Sequence, residues 1–380
     1  MEKNEEKLNY VNSYLREIKP YKAASHKIWD VSASERDNIL KIDWNEATIP
    51  PSKKVKERIK ELIKYDNFYN LYPSTNNDEL MKLISAYTGL PEKNLQYFAG
   101  SDYIHEYLSR LYIKEGDRVV VQAPSYDNFR LTVESCGGKV FFSEIDADFR
   151  FNSESFENDL ETINPRLVYI CNPNNPIGYT HSNEYIERLL SRYPSMVFLV
   201  DEAYVEFSGV SAKDLVLKYN NILITRTLSK AFALANFRFG YLISSQENVQ
   251  NVSRIRNPKN VSTFAQEAAI GALSDIEYME SYVEEVAGAR GDFIKELGKY
   301  KEFLTPYNSE ANFVAIKFKP LYPKSIFIKF LLKNNIYIRD LTQSRILDNC
   351  VRITVGTSEQ MSRVMKIIDK FFNEGNFNEK

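Results

Sequence analysis

The sequence predicts an α/β fold: a mostly parallel sheet covered by helices on both faces, followed by a smaller α+β unit. Two observations predict it. From about residue 75, short runs of apolar residues alternate with segments whose apolar residues recur every three to four positions. Strands that are apolar on both faces and alternate with helices belong in a parallel sheet sandwiched between layers of helix. After about residue 260 that alternation stops, and a long helical stretch (about 263–300) precedes three strand-like runs and a terminal helix.

Along the chain, residues 1–20 place apolar side chains at Leu8, Val11, Leu15 and Ile18, the spacing of an amphipathic helix that Pro20 stops. The strands expected in the large sheet are DRVVVQAP (117–124), GKVFFSEI (138–145), PRLVYICNP (165–173), MVFLVDEAY (196–204), NILITRTLS (221–229) and FGYLISS (239–245). Helical segments such as DYIHEYLSRLYIKEG and NEYIERLLSRYP lie between them. The polar segment IRNPKN (255–260) contains a proline and reads as a boundary. Beyond it, ANFVAIKF, NIYIRD and CVRITVG are strand candidates of the second unit. The expected division is a large domain over 45–258 and a small one built from 259–380 with 1–44, whose first part forms an N-terminal arm.

Bulk properties narrow the function classes. A net charge of −2 with no long basic block argues against nucleic acid or a membrane surface as partner. Apolar runs such as MVFLV are strand length, too short to span a bilayer. The start, MEKNEEKLNY, is charged where a secretory signal is apolar, so a cytoplasmic protein is expected. Three widely spaced cysteines and three scattered histidines form neither a disulfide framework nor a metal pattern.

In open α/β sheets ligands collect at the carboxyl ends of the strands, and four segments there carry unusual polar residues. AGSD (99–102) opens a helix and offers backbone N–H groups to an anion, although in isolation a capping turn is the better explanation. CNPNNPIG (171–178) sets Asn175 rigidly between Asn174 and Pro176. DEAY (201–204) follows a five-residue apolar strand, so Asp201 is either a helix cap or the partner of a cation. TLSK (227–230) supplies hydroxyls from Thr227 and Ser229 and the amine of Lys230, and Arg238 follows as a guanidinium suited to phosphate. Motifs GxxxxGK, GxGxxG and GxSxG are absent. Pyridoxal phosphate chemistry needs the set as a whole: a lysine for the Schiff base, an acid for the pyridine nitrogen, donors for the ring oxygen and a cup for the phosphate.

The string TLSKAFALANFRFGY, with NNPIG and DEAY upstream, resembles the fold-type I aminotransferases, and among them the histidinol-phosphate aminotransferases. The resemblance runs from PY (20–21) to RITVGT (352–357). It implies a fold-type I architecture with a seven-stranded, mostly parallel sheet, and pyridoxal 5'-phosphate bound to Lys230 as a Schiff base. By the same resemblance Asp201 pairs with the pyridinium, Tyr204 and Asn175 hold the ring oxygen, and Tyr126 stacks on the ring. Thr227, Arg238 and the backbone of Gly100, Ser101 and Asp102 hold the phosphate. Tyr72, in LYPS, matches a tyrosine that reaches the neighbouring subunit's cofactor, which implies a homodimer with shared active sites. Arg352 matches the clamp on the amino-acid carboxylate, Arg339 and Tyr21 match residues used for the substrate's own phosphate, and Asn312 falls on a motif near the carboxylate.

Departures lie nearer the substrate than the cofactor. DWNEATIPPS has Ala47 where a proline is expected, NPIG has Ile177 in place of threonine, and Asn236 replaces a glycine, a change that asparagine's tolerance of left-handed backbone would make benign. The resemblance therefore implies transamination between L-glutamate/2-oxoglutarate and a small phosphorylated substrate, with the keto partner of histidinol phosphate as the default acceptor. A short keto phosphate such as dihydroxyacetone phosphate, or decarboxylation of a phosphorylated amino acid as in threonine-phosphate decarboxylase, are the alternatives.

Overall fold

Why the polar residues of distant segments meet is a matter of strand direction. The computed structural model describes residues 10–20, 27–322, 324–342 and 345–375. In chain order the strands are β1 (Leu40–Ile42), β2 (Leu95–Phe98), β3 (Arg118–Ala123), β4 (Lys139–Glu144), β5 (Leu167–Cys171), β6 (Val197–Asp201), β7 (Ile222–Thr227), β8 (Gly240–Ser244), β9 (Leu304–Pro306), β10 (Phe313–Phe318), β11 (Ile336–Leu341) and β12 (Cys350–Thr354). Among the described residues they form a seven-stranded sheet in the order β2-β8-β7-β6-β5-β3-β4 and a five-stranded sheet in the order β1-β11-β12-β10-β9. In the larger sheet β8 is antiparallel to both neighbours and the other pairings are parallel. The carboxyl ends of β2, β3, β5, β6 and β7 therefore share one edge of the sheet.

The expected α/β class and the six expected strands of the large sheet are present, and β2 makes the seventh. β5 and β7 are buried at every residue, as a sheet covered on both faces requires. The expectation of burial on both faces fails for β4, an edge strand whose Phe141 and Phe142 are 38% and 49% exposed. Periodicity reads composition, and an apolar run does not reveal whether it lies at the centre or the edge of a sheet. Three strands of three or four residues (β1, β2, β9) carry too few positions to show a period and were not foreseen.

Two helices differ from expectation. The described part of the N-terminal segment forms only a five-residue 3-10 turn, Ser13–Glu17, and residues 1–9 lie outside the described residues. The stretch 263–300 is two helices, Thr263–Leu273 and Ile276–Leu297, separated at Ser274 and Asp275. Thr263–Leu273 packs against the helices Lys53–Leu62 and Asp78–Thr88. It is buried over most of its length, because alanines and Gly271 let the Lys53–Leu62 backbone approach closely. Thr357 and Gln360 form a capping box that starts the terminal helix Ser358–Asn373.

Candidate active site

A cavity of about 510 Å³ opens where the carboxyl ends of the large sheet face β11 and β12 of the small one. It is lined by Ser101, Asp102, Tyr126, Asn175, Asp201, Tyr204, Thr227, Lys230, Arg238, Arg339 and Arg352, among others. Strand direction gathers these residues from positions up to 251 apart in the sequence. Two expected residues, Tyr72 and Asn312, stand elsewhere. Tyr72 is 81% exposed, with the Lys259 ammonium 4.3 Å from its ring centre. Asn312 is buried one layer behind the cavity and donates to the Asn45 carbonyl at 3.1 Å. Tyr21 lies outside the described residues.

Lys230 follows β7 on a turn. Its Nζ donates to the Trp44 carbonyl at 3.0 Å and sits 5.6 Å from the Tyr204 ring centre. Burial, reinforced by the nearby Arg352 and Arg238, lowers its pKa from the usual lysine value to about 8. An amine with that pKa is free in about a quarter of molecules at pH 7.5, against about one in a thousand for an ordinary lysine.

Asp201 ends β6 and is buried. Its Oδ1 accepts from the Ala203 N–H at 3.2 Å and the Thr225 hydroxyl at 3.3 Å, and its Oδ2 accepts from the Tyr169 hydroxyl at 2.8 Å. His105 lies behind, with Nε2 3.2 Å from Thr225 Oγ1 and 3.8 Å from Asp201 Oδ2. This is not a helix cap: the carboxylate is held from the protein side and lines the cavity on the other.

Tyr204 Oη accepts from Asn45 Nδ2 at 3.0 Å and Asn175 Nδ2 at 3.1 Å. With two amides on the oxygen, the phenol's hydrogen is left to donate to a ligand oxygen. Burial pushes its pKa up, so that hydrogen stays in place at neutral pH. Asn175 Oδ1 in turn accepts from Arg352 Nη1 at 2.6 Å, and Arg352 Nη2 donates to the Asp43 carbonyl at 2.8 Å. One chain of hydrogen bonds thus runs from β12 to the phenol.

At the other end, Gly100 has φ +90° and precedes the helix Ser101–Tyr112. A Cβ on Gly100 would stand 2.9 Å from Arg238 Nη2, and one on Gly240 would stand 2.8 Å from the Ser101 nitrogen. Both positions need the small residue they have. Thr227 is buried, and its hydroxyl donates within 3.0 Å to Ser229 Oγ or the Phe239 carbonyl. Arg238 itself adopts φ +53° and Ala233 φ +57°, whereas Asn236 lies in an ordinary 3-10 turn. The left-handed positions are thus taken by Ala233 and Arg238, and the argument from asparagine's tolerance does not apply to Asn236.

This donor set fits pyridoxal phosphate. A carbonyl carbon would meet Lys230, a ring nitrogen Asp201, a ring oxygen Tyr204, and a phosphate the glycine-lined helix start with Arg238. Among the described residues, no cluster of His, Cys, Asp and Glu could hold a metal ion, and no helix is long and apolar enough to cross a membrane.

Sequence reasoning had not singled out Trp29, Asp43, Trp44, Asn45, Glu46 and Asp127 as site residues, yet all line the cavity. The first five come from the N-terminal fifth of the chain, where β1 joins the small sheet. A signal was available: the chain has two tryptophans, and both are here.

A family model for class I and II aminotransferases matches residues 37–368. A dihydroxyacetone phosphate transaminase of Campylobacter jejuni is 41% identical over 367 residues, covering 95% of this chain and 96% of that protein. A histidinol-phosphate aminotransferase of Ruminiclostridium cellulolyticum is 32% identical over 358 residues, covering 93% and 95%. In fold, the chain is similar to the histidinol-phosphate aminotransferase of Sinorhizobium meliloti solved with pyridoxal-5'-phosphate, at TM-score 0.85 and 24% identity over 97% of this chain and 98% of that one.

Proposed function

Because this chain belongs to the class I and II aminotransferase family, we propose that it uses pyridoxal phosphate to move an amino group from L-glutamate to a short keto phosphate of the dihydroxyacetone phosphate type. One observation carries the substrate class. Arg339 and Arg352 are register partners on the antiparallel pair β11–β12, so their side chains leave the same face of the sheet, and both line the cavity. Like charges directly opposite in a ladder repel, and Arg339 has no ion-pair partner among the described residues. Two adjacent guanidinium groups suit a site that takes a carboxylate in one half-reaction and a phosphate in the other.

The cofactor supplies an electron sink for the carbanion formed when the substrate Cα loses its proton. The chain supplies everything else. Lys230 Nζ moves the proton at the reacting carbon, and its lowered pKa suits a base at neutral pH. Asp201, fixed by Tyr169, Thr225 and the Ala203 N–H, keeps a proton on the ring nitrogen. Tyr204 donates to the ring oxygen, and Asn175 couples Tyr204 to the carboxylate-binding Arg352. Arg339 grips the acceptor's phosphate. The active unit is a homodimer in which Tyr72 of the partner subunit completes the phosphate end. The exposure of Tyr65, Tyr69, Leu71 and Tyr72 along one segment supports that arrangement.

The resemblance made the keto partner of histidinol phosphate the default acceptor. The 41% identity to a dihydroxyacetone phosphate transaminase, against 30–34% for the histidinol-phosphate enzymes, shifts the weight to the short keto phosphate. Steady-state assays with glutamate and either dihydroxyacetone phosphate or imidazole-acetol phosphate decide between them. The expected result is a higher kcat/KM for the three-carbon acceptor. Arg339→Gln should raise its KM by about 10- to 100-fold, the worth of a hydrogen bond to a charged group, and leave the glutamate half-reaction nearly unchanged. A preference for the imidazole acceptor, or CO2 release from a phospho-amino acid without 2-oxoglutarate, contradicts the proposal.

A further inference from the structure

The phosphate end of the cavity contains an acid, and its hydrogen bonds explain why. Asp102 is the second residue of the helix Ser101–Tyr112. Its Oδ1 accepts from Tyr126 Oη at 3.0 Å and from Asn128 Nδ2 at 3.2 Å, and its Oδ2 accepts from Arg238 Nη2 at 3.1 Å. The four residues come from three segments: Asp102 follows β2, Tyr126 and Asn128 follow β3, and Arg238 lies on the turn between β7 and β8. Arg238 is further tied to the Ala235 carbonyl at 3.2 Å. A carboxylate beside a phosphate site repels the phosphate, so its presence calls for a compensating gain.

We propose that Asp102 is a positioning residue for cofactor binding, its carboxylate holding Arg238 and Tyr126 in their binding orientations before the cofactor arrives. The inference rests on the pyridoxal phosphate reading above and is independent of which acceptor is used. Arg238 is half exposed and long, and an untethered guanidinium of that kind loses its rotamer freedom only on binding. Tyr126 lies on a loop, where one hydroxyl hydrogen bond fixes the ring plane. Ordering such side chains in advance removes a cost otherwise met at binding, about 2- to 10-fold in affinity for each. The helix N-terminus offsets part of the repulsion between Asp102 and the phosphate. The arrangement is therefore preorganisation by an acid, in which fixed geometry outweighs unfavourable charge.

The test titrates cofactor-free full-length protein with pyridoxamine phosphate, which cannot bond to Lys230 and so reads the non-covalent contacts alone. Trp29 and Trp44 both line the cavity, so intrinsic fluorescence reports occupancy. Asp102→Ala should weaken binding about tenfold or more and reduce the circular dichroism induced in the cofactor band, because the stacking ring is released. Asp102→Asn keeps an oxygen for Tyr126 and Asn128 but no charge for Arg238, so its loss should be smaller. This near-isosteric variant also keeps the test decisive if the alanine variant does not fold. Unchanged affinity in both variants would show that Asp102 serves only to start the helix, and tighter binding would show that repulsion dominates. Either result overturns the proposal. Wild-type protein that takes up no pyridoxamine phosphate overturns the cofactor reading, and the role of Asp102 with it.

Discussion

Lys230, the proposed Schiff-base lysine, also leaves a thermodynamic mark at the residue scale. Its folded-state pKa of about 8 lies below the ordinary lysine value of 10.5, so between those limits the unfolded chain binds a proton that the folded one does not. Stability contributed at this site therefore rises as pH goes from about 8 to about 10.5, and the full penalty of the buried ammonium is felt below pH 8. Replacing Lys230 with Met should abolish transamination in the holoenzyme and, in cofactor-free protein, raise Tm near pH 7. The gain should shrink as pH climbs from 8 towards 10.5, which thermal melts at stepped pH measure directly. Lys230, Asp201 and Arg238 were legible in the sequence because each interrupts or follows an apolar strand run. Tyr169 and His105 were not, because a tyrosine inside PRLVYICNP and a histidine inside a helix look like core. Only the fold turns their polar atoms toward Asp201.

Elements position the site by how closely their backbones can approach one another. The start of helix Ser101–Tyr112 lies against β8 at Gly240, and its first residues face Arg238 across Gly100. Gly100→Ala adds a methyl group at φ +90° that meets Arg238 Nη2. The expected outcome is cofactor affinity reduced more than stability, seen by comparing a pyridoxamine phosphate titration with a melt of the cofactor-free protein. A second element-scale feature is the buried pair between Glu202 at the end of β6 and Arg226 in β7. They are 2.8 Å apart, and Glu202 also accepts from the Ala212 N–H at 2.7 Å. Removing one member leaves the other charged and buried, so Glu202→Ala should destabilise the fold by about 3–5 kcal/mol in urea unfolding. The sequence showed Glu202 only as a letter in DEAY. The strands of five or six residues were legible from apolar runs, whereas the edge position of β4 was not, since long-range pairing order decides it.

At the scale of the whole molecule, function depends on two sheets meeting at one cavity. Asn45 is the join: its N–H donates to the Thr354 hydroxyl at the end of β12 and its Oδ1 accepts from that hydroxyl, its carbonyl accepts from Asn312, and its Nδ2 donates to Tyr204. Arg352 extends the join to Asn175 on the large sheet. On the proposed reading, a carboxylate at Arg352 would be coupled through the Asn175 side chain to the Tyr204 phenol. The motifs of the large sheet could be recognised in the sequence because each is contiguous. On the acceptor side Arg339 and Arg352 were recognised within their own strand motifs, whereas Trp29 and residues 43–46 were not, because they meet β11 and β12 only in the folded chain. On the proposed function, this assembly moves an amino group onto a three-carbon keto phosphate. The most direct measurement incubates the holoenzyme with glutamate, quantifies the 2-oxoglutarate released, removes the excess donor, adds dihydroxyacetone phosphate and quantifies the aminated product. The account predicts one 2-oxoglutarate and one aminated three-carbon phosphate per active site, with neither formed by the Lys230→Met variant. A glutamate-loaded enzyme that dihydroxyacetone phosphate fails to discharge, while an imidazole-bearing keto phosphate succeeds, would contradict it.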